Sequence, residues 1–186
     1  MTKSVSRIFG NETRVKIMRL FIFNPDSTYN LDTITKRTLE RRSTVVKELR
    51  MLTKAGLLKR RTKGYSLDKS YPHLEPLEHF LIDASPVVPK EITKKLSRTG
   101  SLKLLLISGV FIHDDERRVD LLVVGDKIRK AALNSAISNI ESQLGKELRY
   151  SYFETADFNY RLRMYDKLIR DILDYPHQKL LNKLGI

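Results

Sequence analysis

Residues 41–61 read RRSTVVKELRMLTKAGLLKRR, and this stretch decides the fold of the first third of the chain. Its apolar residues Val45, Leu49 and Leu52 recur at the i, i+4 and i+7 spacing of one α-helix face. Ser43 is a residue type that caps helix N-termini, and an Ala-Gly pair marks the point where the helix ends. The stretch therefore predicts an amphipathic helix that begins near two arginines.

Two shorter helical patterns precede this helix. Asn11 is predicted to cap a first helix that runs to Phe23 and buries a stripe of apolar residues. After an extended segment at 28–31, Asp32 is predicted to cap a brief second helix that ends at Arg37. A short helix that leads through a tight turn into a longer amphipathic helix is typical of helix-turn-helix units.

A basic β-hairpin is predicted after the third helix. Residues 57–67 form two strand-like segments around Thr62-Lys63-Gly64, in which the glycine suits the turn. The stretch 41–61 resembles the recognition helix and wing of winged-helix regulators of the ArsR and MarR type, which share its polar start, Val/Leu ladder and Ala-Gly-Leu exit. The resemblance covers roughly residues 9–65 and implies a winged helix-turn-helix domain over residues 1–68.

The resemblance also implies which side chains contact DNA. In that arrangement the third helix enters the major groove by its N-terminal turns, and the wing follows the phosphate backbone or reaches into the minor groove. Arginine bonds guanine through two parallel donors, and lysine suits phosphates. Val46 is expected to pack rather than touch a thymine methyl, and a merely solvated basic hairpin is the alternative for the wing. The predicted DNA-binding residues are Arg41, Arg42, Ser43, Thr44, Lys47 and Arg50 of the helix, and Lys59, Arg60, Arg61 and Lys63 of the wing.

Charge is distributed unevenly along the chain. The 35 Lys and Arg residues outnumber the 22 Asp and Glu residues and give a net charge of +13. Residues 1–69 hold 17 basic and 6 acidic residues, whereas residues 101–186 hold 14 and 12. A basic excess confined to a small domain indicates a polyanionic partner, usually nucleic acid. Because Tyr65 stands alone beside the wing, duplex DNA is favoured over single strands, whose bases stack on aromatic side chains.

The composition excludes several other classes of protein. The chain has no cysteine, which removes disulfides, thiolate nucleophiles and Cys-type zinc sites. Its four histidines do not fall at metal-ligand spacings, and we expect no metal ion and no cofactor. No apolar run approaches the ~18 residues of a membrane helix, and the N-terminus lacks the apolar core of a secretory signal. We therefore expect a cytoplasmic protein that does not enter a membrane.

A connector that contains several prolines is predicted over residues 69–100. Pro72 and Pro89 stand at helix-start positions, so the connector is expected to form two short helices. A single short recognition helix requires a second half-site, and we therefore expect a homodimer that reads a palindrome. The first connector helix has an apolar face that either packs on the winged domain or pairs with its copy in the dimer, formed by Leu74, Leu77, Phe80 and Leu81.

Residues 101–186 are predicted to form a second, small α/β domain, which makes the chain α+β overall. Continuous apolar runs at 102–107 and 119–124 suit strands that are covered on both faces. A helix over 127–144 and a third strand over 148–153 follow. The remainder is predicted to be helical, with one register formed by Phe158, Leu162, Tyr165, Ile169 and Ile172 before Pro176.

The segment LLLISGVFIHDDERRVDLLVVGD resembles the core of the minimal nucleotidyltransferase fold. Active members carry a Gly-Ser turn that holds the nucleotide phosphates and an Asp-x-Asp pair that holds two Mg²⁺ ions. Here Gly109 is followed by Val110, and the first carboxylate position is Arg118, which leaves Asp120 alone. A positive charge at a cation site opposes metal binding. The resemblance, over roughly residues 102–175, therefore implies a vestigial nucleotide site at Gly109 and Asp120 without catalytic activity.

Two other acidic sets have alternative interpretations. Asp114, Asp115 and Glu116 could substitute for the lost metal ligands, or they form a solvated turn. Glu154 and Asp157 lie where a third acidic ligand is expected, but they equally suit the end of a strand and the start of a helix.

Together the patterns predict a transcriptional regulator that binds duplex DNA through its winged helix. The C-terminal domain is then retained as a sensor or association module, which could bind a small-molecule or nucleotide effector. Two alternatives stay open: an active nucleotidyltransferase that modifies a protein or an RNA, and the DNA-binding member of a toxin–antitoxin pair.

Overall fold

A computed structural model describes residues 6–84, 87–112, 114 and 118–186. These residues form a mixed α+β structure, as predicted, that divides into two compact units. The first unit holds the described residues up to Val88 together with Ser138–Lys146, and the second holds those of Pro89–Ile137 and Glu147–Ile186. The two helices of the predicted connector belong to different units. No helix among the described residues is both long enough and apolar enough to span a membrane.

The first unit combines helices with a small antiparallel sheet. Its helices are α1 (Glu12–Ile22), α2 (Leu31–Thr38), α3 (Arg42–Lys54) and α4 (Leu74–Asp83). Its strands are β1 (Thr28–Tyr29), β2 (Leu58–Arg61) and β3 (Gly64–Leu67). Strand β3 lies in the middle and pairs antiparallel with both β1 and β2, so the predicted hairpin gains a third strand.

The caps of α1 and α2 show one confirmed and one wrong prediction. Asn11 caps α1 as predicted, and its side chain accepts a hydrogen bond from a backbone N–H of the first turn at 2.8 Å. The cap of α2 is Asn30 rather than Asp32, because the Asn30 side chain already accepts from Thr33 N at 2.8 Å. Asp32 is therefore a residue of the first turn whose carboxylate is available for other contacts.

The start of α3 also differs from the prediction. Leu39, with a φ of 56°, ends α2 in the left-handed conformation, and only Glu40 separates it from the next cap. The N-cap of α3 is Arg41, without a side-chain cap hydrogen bond. Ser43, the predicted cap, is instead an exposed residue inside the first helical turn. The N-cap of α3 thus lies two residues earlier in the chain than predicted.

A shared apolar core holds the helices of the first unit to its sheet. Helix α3 buries Val45, Leu49 and Leu52, as the spacing predicts, and these residues belong to one cluster with residues of α1, α2 and the strands. Helix α4 joins the same cluster through its fully buried Leu81. The apolar face of α4 therefore packs within the unit, which was one of the two predicted uses. Phe80 remains 40% exposed.

Arg19 of α1 is a cation inside this unit, 4% exposed. Its guanidinium donates to the carbonyl oxygens of Leu81 at 2.5 Å and Leu144 at 3.2 Å, and it lies over the Phe23 ring. Burial lowers the pKa of Arg19 from 12.5 to about 10. Gly145, which follows, comes so close that a Cβ there would lie 2.6 Å from the Arg19 backbone. The segment Ser138–Lys146 is thereby fixed on α1.

The second unit is built on a mixed sheet. Its strands β4 (Ser101–Ile107), β5 (Leu121–Asp126), β6 (Tyr150–Phe153) and β7 (Gln178–Asn182) stand in the order β6-β5-β4-β7. Strand β4 pairs antiparallel with β5 and β7, and β5 pairs parallel with β6. The helices are α5 (Pro89–Leu96), the first part of α6 (Lys130–Leu144), α7 (Thr155–Arg163) and α8 (Lys167–Leu173), and a 3₁₀ turn spans Gly109–Ile112. The central strands are buried along most of their length, as their apolar runs predict.

The C-terminal part of the second unit departs from the predicted helical register. The register breaks at Tyr165, whose φ is 53° and whose side chain is 76% exposed rather than buried. Asp166 then caps α8 by accepting from two backbone N–H groups. After Pro176 the chain forms β7, so the prediction of helix for the whole remainder is wrong. The edge of β4 supplies backbone partners for this last segment, which completes the sheet.

Candidate nucleic-acid interface

One face of α3 carries three of the predicted DNA-binding residues, Ser43, Lys47 and Arg50. Helical spacing puts residues at i, i+4 and i+7 on the same side, and the buried residues of α3 occupy the opposite side. The apolar core behind them holds α3 in place. Thr44 and Val46 are half-buried, whereas the exposed members of the set are Arg41, Arg42, Ser43, Lys47 and Arg50.

Three basic side chains, one at the N-cap of α3 and two on this face, have no internal partner. The side chains of Arg41, Lys47 and Arg50 form no hydrogen bond or ion pair with any residue that the structure describes. Their charged groups are therefore exposed to solvent. A phosphate oxygen could contact them without breaking an existing ion pair, and such contacts give strong, salt-dependent binding of a polyanion.

Arg42 has a carboxylate partner. Its Nη1 atom donates to Oδ1 of Asp32, and both side chains are exposed, by 59% and 80%. The pair joins the first turn of α2 to the first turn of α3. The sequence interpretation missed it because it assigned the Asp32 side chain to the α2 cap.

A buried carboxylate fixes the position of α3 relative to α1. The Glu48 side chain is 1% exposed and accepts from Arg14 Nε at 2.7 Å and from Asn11 Nδ2 at 2.8 Å. A buried charge is tolerated when such partners satisfy it. Sequence reasoning missed Glu48, although its position three residues after Val45 places it on the buried face. Periodicity alone could have found it.

The basic residues of the β2–β3 hairpin divide into two pairs. Lys59 forms an ion pair with Asp68 at 2.8 Å, and Arg61 Nε donates to Ser66 Oγ at 3.1 Å. The hydrogen bond from Lys59, followed by one from Ser70, lowers the pKa of Asp68 from 3.8 to about 2. These two cations are therefore already engaged inside the hairpin.

The other two hairpin cations are free. The side chains of Arg60 and Lys63 contact no hydrogen-bond or ion-pair partner in the described part of the chain. Gly64 follows Lys63 with a φ of 143°, and a Cβ there would lie 2.1 Å from the Tyr29 carbonyl oxygen. The glycine thus permits the close approach to β1 that holds the hairpin in place.

In the second unit, the predicted vestigial site is filled by groups of the protein itself. Asp120 is 1% exposed. Its Oδ1 accepts from Val110 N and Arg149 Nη2, each at 3.0 Å, and its Oδ2 accepts from Arg149 N at 2.8 Å and Nε at 3.1 Å. Gly109 lies beside this carboxylate with a φ of 53°, and a Cβ there would lie 2.0 Å from Oδ1. Both carboxylate oxygens are satisfied, which gives Asp120 a structural role.

Arg118 lines a cleft of about 310 Å³ in the same unit. Its guanidinium lies 3.5 Å from the carboxylate of Asp171, and Ser108 and Lys167 also face the cleft. Two cations and one carboxylate make this a weakly positive surface. A small anion fits its charge.

The other predicted acidic ligands are dispersed or lie outside the described residues. Asp115 and Glu116 are among the residues that the structure does not describe, whereas the Asp114 N–H donates to Gly109 O at 3.0 Å. Glu154 is the N-cap position of α7, and Asp157 pairs with Arg161 at 3.0 Å. Within the described part of the chain, no group of three or more His, Asp or Glu residues could hold a metal ion.

Two different sets of charged groups thus define the candidate sites. Unpaired cations lie on α3 and the hairpin, and a satisfied carboxylate lies at the start of β5. No family model, no curated protein and no solved structure matches this chain.

Proposed function

We propose that the protein is a sequence-specific regulator that binds duplex DNA through the first unit, with α3 in the major groove. The observation that carries the proposal is that five of the predicted DNA-binding residues on α3 and the hairpin are exposed basic side chains without an internal partner in the described part of the chain. Releasing counterions from phosphates is the main source of affinity for such a surface. The set consists of Arg41, Lys47, Arg50, Arg60 and Lys63.

The arrangement of the first unit supports a division of roles. An α-helix fits the major groove, and its exposed polar side chains then reach base edges. Arg41, Arg42 and Ser43 stand at the N-terminal turn of α3, which is the part that enters first in a helix-turn-helix complex. Arg60 and Lys63 project from the hairpin and contact phosphates. Base choice therefore resides in α3, and general affinity resides in both elements.

We propose that the second unit is a sensor or association module rather than an enzyme. Metal-dependent nucleotidyl transfer requires carboxylates that hold two metal ions. Both oxygens of Asp120 already accept hydrogen bonds from Val110 and Arg149. An anionic effector such as a nucleotide would occupy the cleft at Arg118 and Lys167. Labelled nucleoside triphosphates with Mg²⁺ should give no transfer to protein or RNA, and turnover that disappears in Asp120→Ala would refute this part of the proposal.

A homodimer stays a prediction. The apolar face of α4 is largely used inside the first unit, but one short recognition helix still needs a second half-site. Two copies related by a two-fold axis would read half-sites ~34 Å apart. Light scattering at micromolar concentration, with and without DNA, measures the oligomeric state, and a monomer in both conditions would contradict the prediction.

The DNA-binding proposal is tested by selection from a random duplex pool, followed by fluorescence titration of the selected and scrambled duplexes. The triple variant Arg41→Ala/Lys47→Ala/Arg50→Ala should lose roughly 100-fold in affinity for the selected duplex, because base and phosphate contacts are both removed. A matched control removes three exposed lysines of the second unit, Lys90, Lys94 and Lys130. The control should change affinity much less.

Two outcomes would contradict the proposal. Failure of the wild type to enrich any sequence would exclude sequence-specific recognition. Equal losses from the α3 variant and the lysine control would mean that the protein binds DNA only through its net charge.

A further inference from the structure

The first turns of α2 and α3 are joined by an exposed ion pair. Asp32 is the second residue of α2, and Arg42 is the first residue of α3. The pair is not required for capping, since Asn30 provides the α2 cap. It is also remote from the apolar core, because both side chains are exposed. The interaction lies at the turn of α3 that the proposed function places in the major groove.

The geometry of an arginine side chain allows it to hold a carboxylate and a base together. A guanidinium has five N–H donors, and a guanine contact uses two parallel donors. Asp32 engages Arg42 Nη1, so the other guanidinium donors stay available. An unpaired exposed arginine loses side-chain entropy when it binds. A carboxylate that already orients the guanidinium reduces that loss.

The same carboxylate opposes binding to DNA in general. An exposed negative charge on a surface that meets phosphates weakens association with every duplex. The orienting effect of Asp32 on Arg42, by contrast, helps only where a suitable base lies opposite. In a complex with DNA, a carboxylate in this place would therefore lower affinity for all sequences and raise the preference for one of them.

We propose that Asp32 is a specificity-determining residue that positions Arg42 to read a guanine, so that the preferred duplex has a G·C pair opposite the first turn of α3. This inference rests on the proposed DNA-binding function. It names a feature of the DNA partner and a residue that acts through another. Asp32 is thus a positioning residue, and Arg42 makes the contact.

The test compares the wild type, Asp32→Asn, Arg42→Ala and the double variant. Each is titrated against the selected duplex and against duplexes in which every base pair is replaced in turn, at several salt concentrations. Arg42→Ala should lose roughly 5- to 150-fold at the selected duplex and lose its preference at one G·C pair. Asp32→Asn should lose preference at that same pair, by a smaller factor, while binding scrambled duplex more tightly. The double variant should be no less selective than Arg42→Ala.

A matched control and the thermal midpoint separate positioning from a merely structural role. Glu75 is an exposed carboxylate of the first unit, on α4, and Glu75→Gln should leave base preference unchanged. Tighter binding of Asp32→Asn to all duplexes with unaltered base preference would overturn the inference. A lowered melting midpoint with an even loss on all sequences would also overturn it.

The failure of this inference is distinguishable from failure of the proposed function. If the wild type selects no sequence, the proposed function fails. If the wild type selects a sequence but Arg42→Ala or Asp32→Asn leaves every base preference intact, only the inference fails.

Discussion

The candidate site of the first unit and the Asp120 site of the second unit use their charged side chains in opposite ways. The candidate DNA-binding surface exposes cations that have no internal partner among the described residues, such as Arg41, Lys47 and Lys63. In the second unit, both oxygens of Asp120 are occupied, and Arg149 supplies three of the four donors. A polar group that is satisfied inside the fold stabilises it, whereas one left unpaired at the surface is available to a ligand. The difference separates a surface suited to recognition from a carboxylate that stabilises the fold.

The largest expected effect tests the structural role of Asp120. Replacing it by Ala leaves two backbone N–H groups and the Arg149 guanidinium without their acceptor. Breaking such a pair should cost about 3 kcal/mol of unfolding free energy, at the low end for buried pairs because Arg149 is 47% exposed. Urea denaturation measures this cost. DNA affinity of the folded protein should be unchanged.

Asp174→Ala is the matched control for this substitution. Asp174 is an exposed carboxylate that faces Arg170 one helical turn away at 3.5 Å. Its removal should change the unfolding free energy by less than about 0.5 kcal/mol. Similar small effects from both substitutions would mean that Asp120 is not held as described, and the comparison between the two units would fail.

The second effect concerns the glycine beside Asp120. Gly109→Ala should cost about 2 kcal/mol of unfolding free energy, from the left-handed backbone conformation and from displacement of the Asp120 carboxylate. Gly185→Ala is the control, because Gly185 also has a positive φ, of 74°, but a Cβ added there would meet no atom within 4 Å. That control should show the backbone cost alone, about 1 kcal/mol. Urea denaturation measures both costs. Equal losses of unfolding free energy in the two variants would show that a Cβ at position 109 does not displace the Asp120 carboxylate.

The third effect separates free from engaged cations within the hairpin. Lys63 has no partner among the described residues, whereas Lys59 is paired with Asp68. Lys63→Ala should lower affinity almost evenly for all duplexes and reduce the slope of log K against log salt by about 0.9. Lys59→Ala should reduce the slope less, because its charge is partly offset. Equal slopes in the two variants would remove the distinction between the pairs.

Much of the first unit could be predicted from sequence because its signals are local. The positions of Val45, Leu49 and Leu52 predicted the buried face of α3, and Asn11 predicted a helix start. The predictions failed where two local options compete. Asn30 and Asp32 are both good caps, and only the backbone path decides between them. Ser43 is also a good cap residue, but α2 ends at the left-handed Leu39 and α3 begins soon after it. Ser43 therefore lies inside the first turn of α3.

The features of the second unit that the sequence did not predict depend on contacts between distant segments. Strand β7 exists because β4 has an edge to pair with, and the short segment 178–182 has no periodicity that favours a strand over a helix. Arg149 reaches Asp120 because β5 and β6 are parallel neighbours, which no local pattern indicates. The candidate DNA-contacting residues could be listed from sequence. Their division into paired and unpaired cations could not, because it depends on Asp32, Ser66 and Asp68, which face them across turns.

The smallest expected effect is a change in the titration of Asp68. The hydrogen bond from Lys59 is the largest cause of its lowered pKa, about 2, and a bond from Ser70 adds to it. Lys59→Met should therefore raise the pKa of Asp68 part of the way toward 3.8, since the bonds from Ser70 remain. Because the folded pKa lies below the ordinary value, the contribution of Asp68 to stability is present above pH 3.8 and is lost as the pH falls toward 2. NMR titration of the carboxyl carbon measures the shift.

Lys69→Met is the control, because Lys69 pairs with Asp26, and it should leave the pKa of Asp68 unchanged. If Asp68 of the wild type titrates at its ordinary value, Lys59 is not engaged. Lys59 would then join Arg60 and Lys63 as a free cation, and Lys59→Ala should reduce the salt slope of DNA binding as much as Lys63→Ala does.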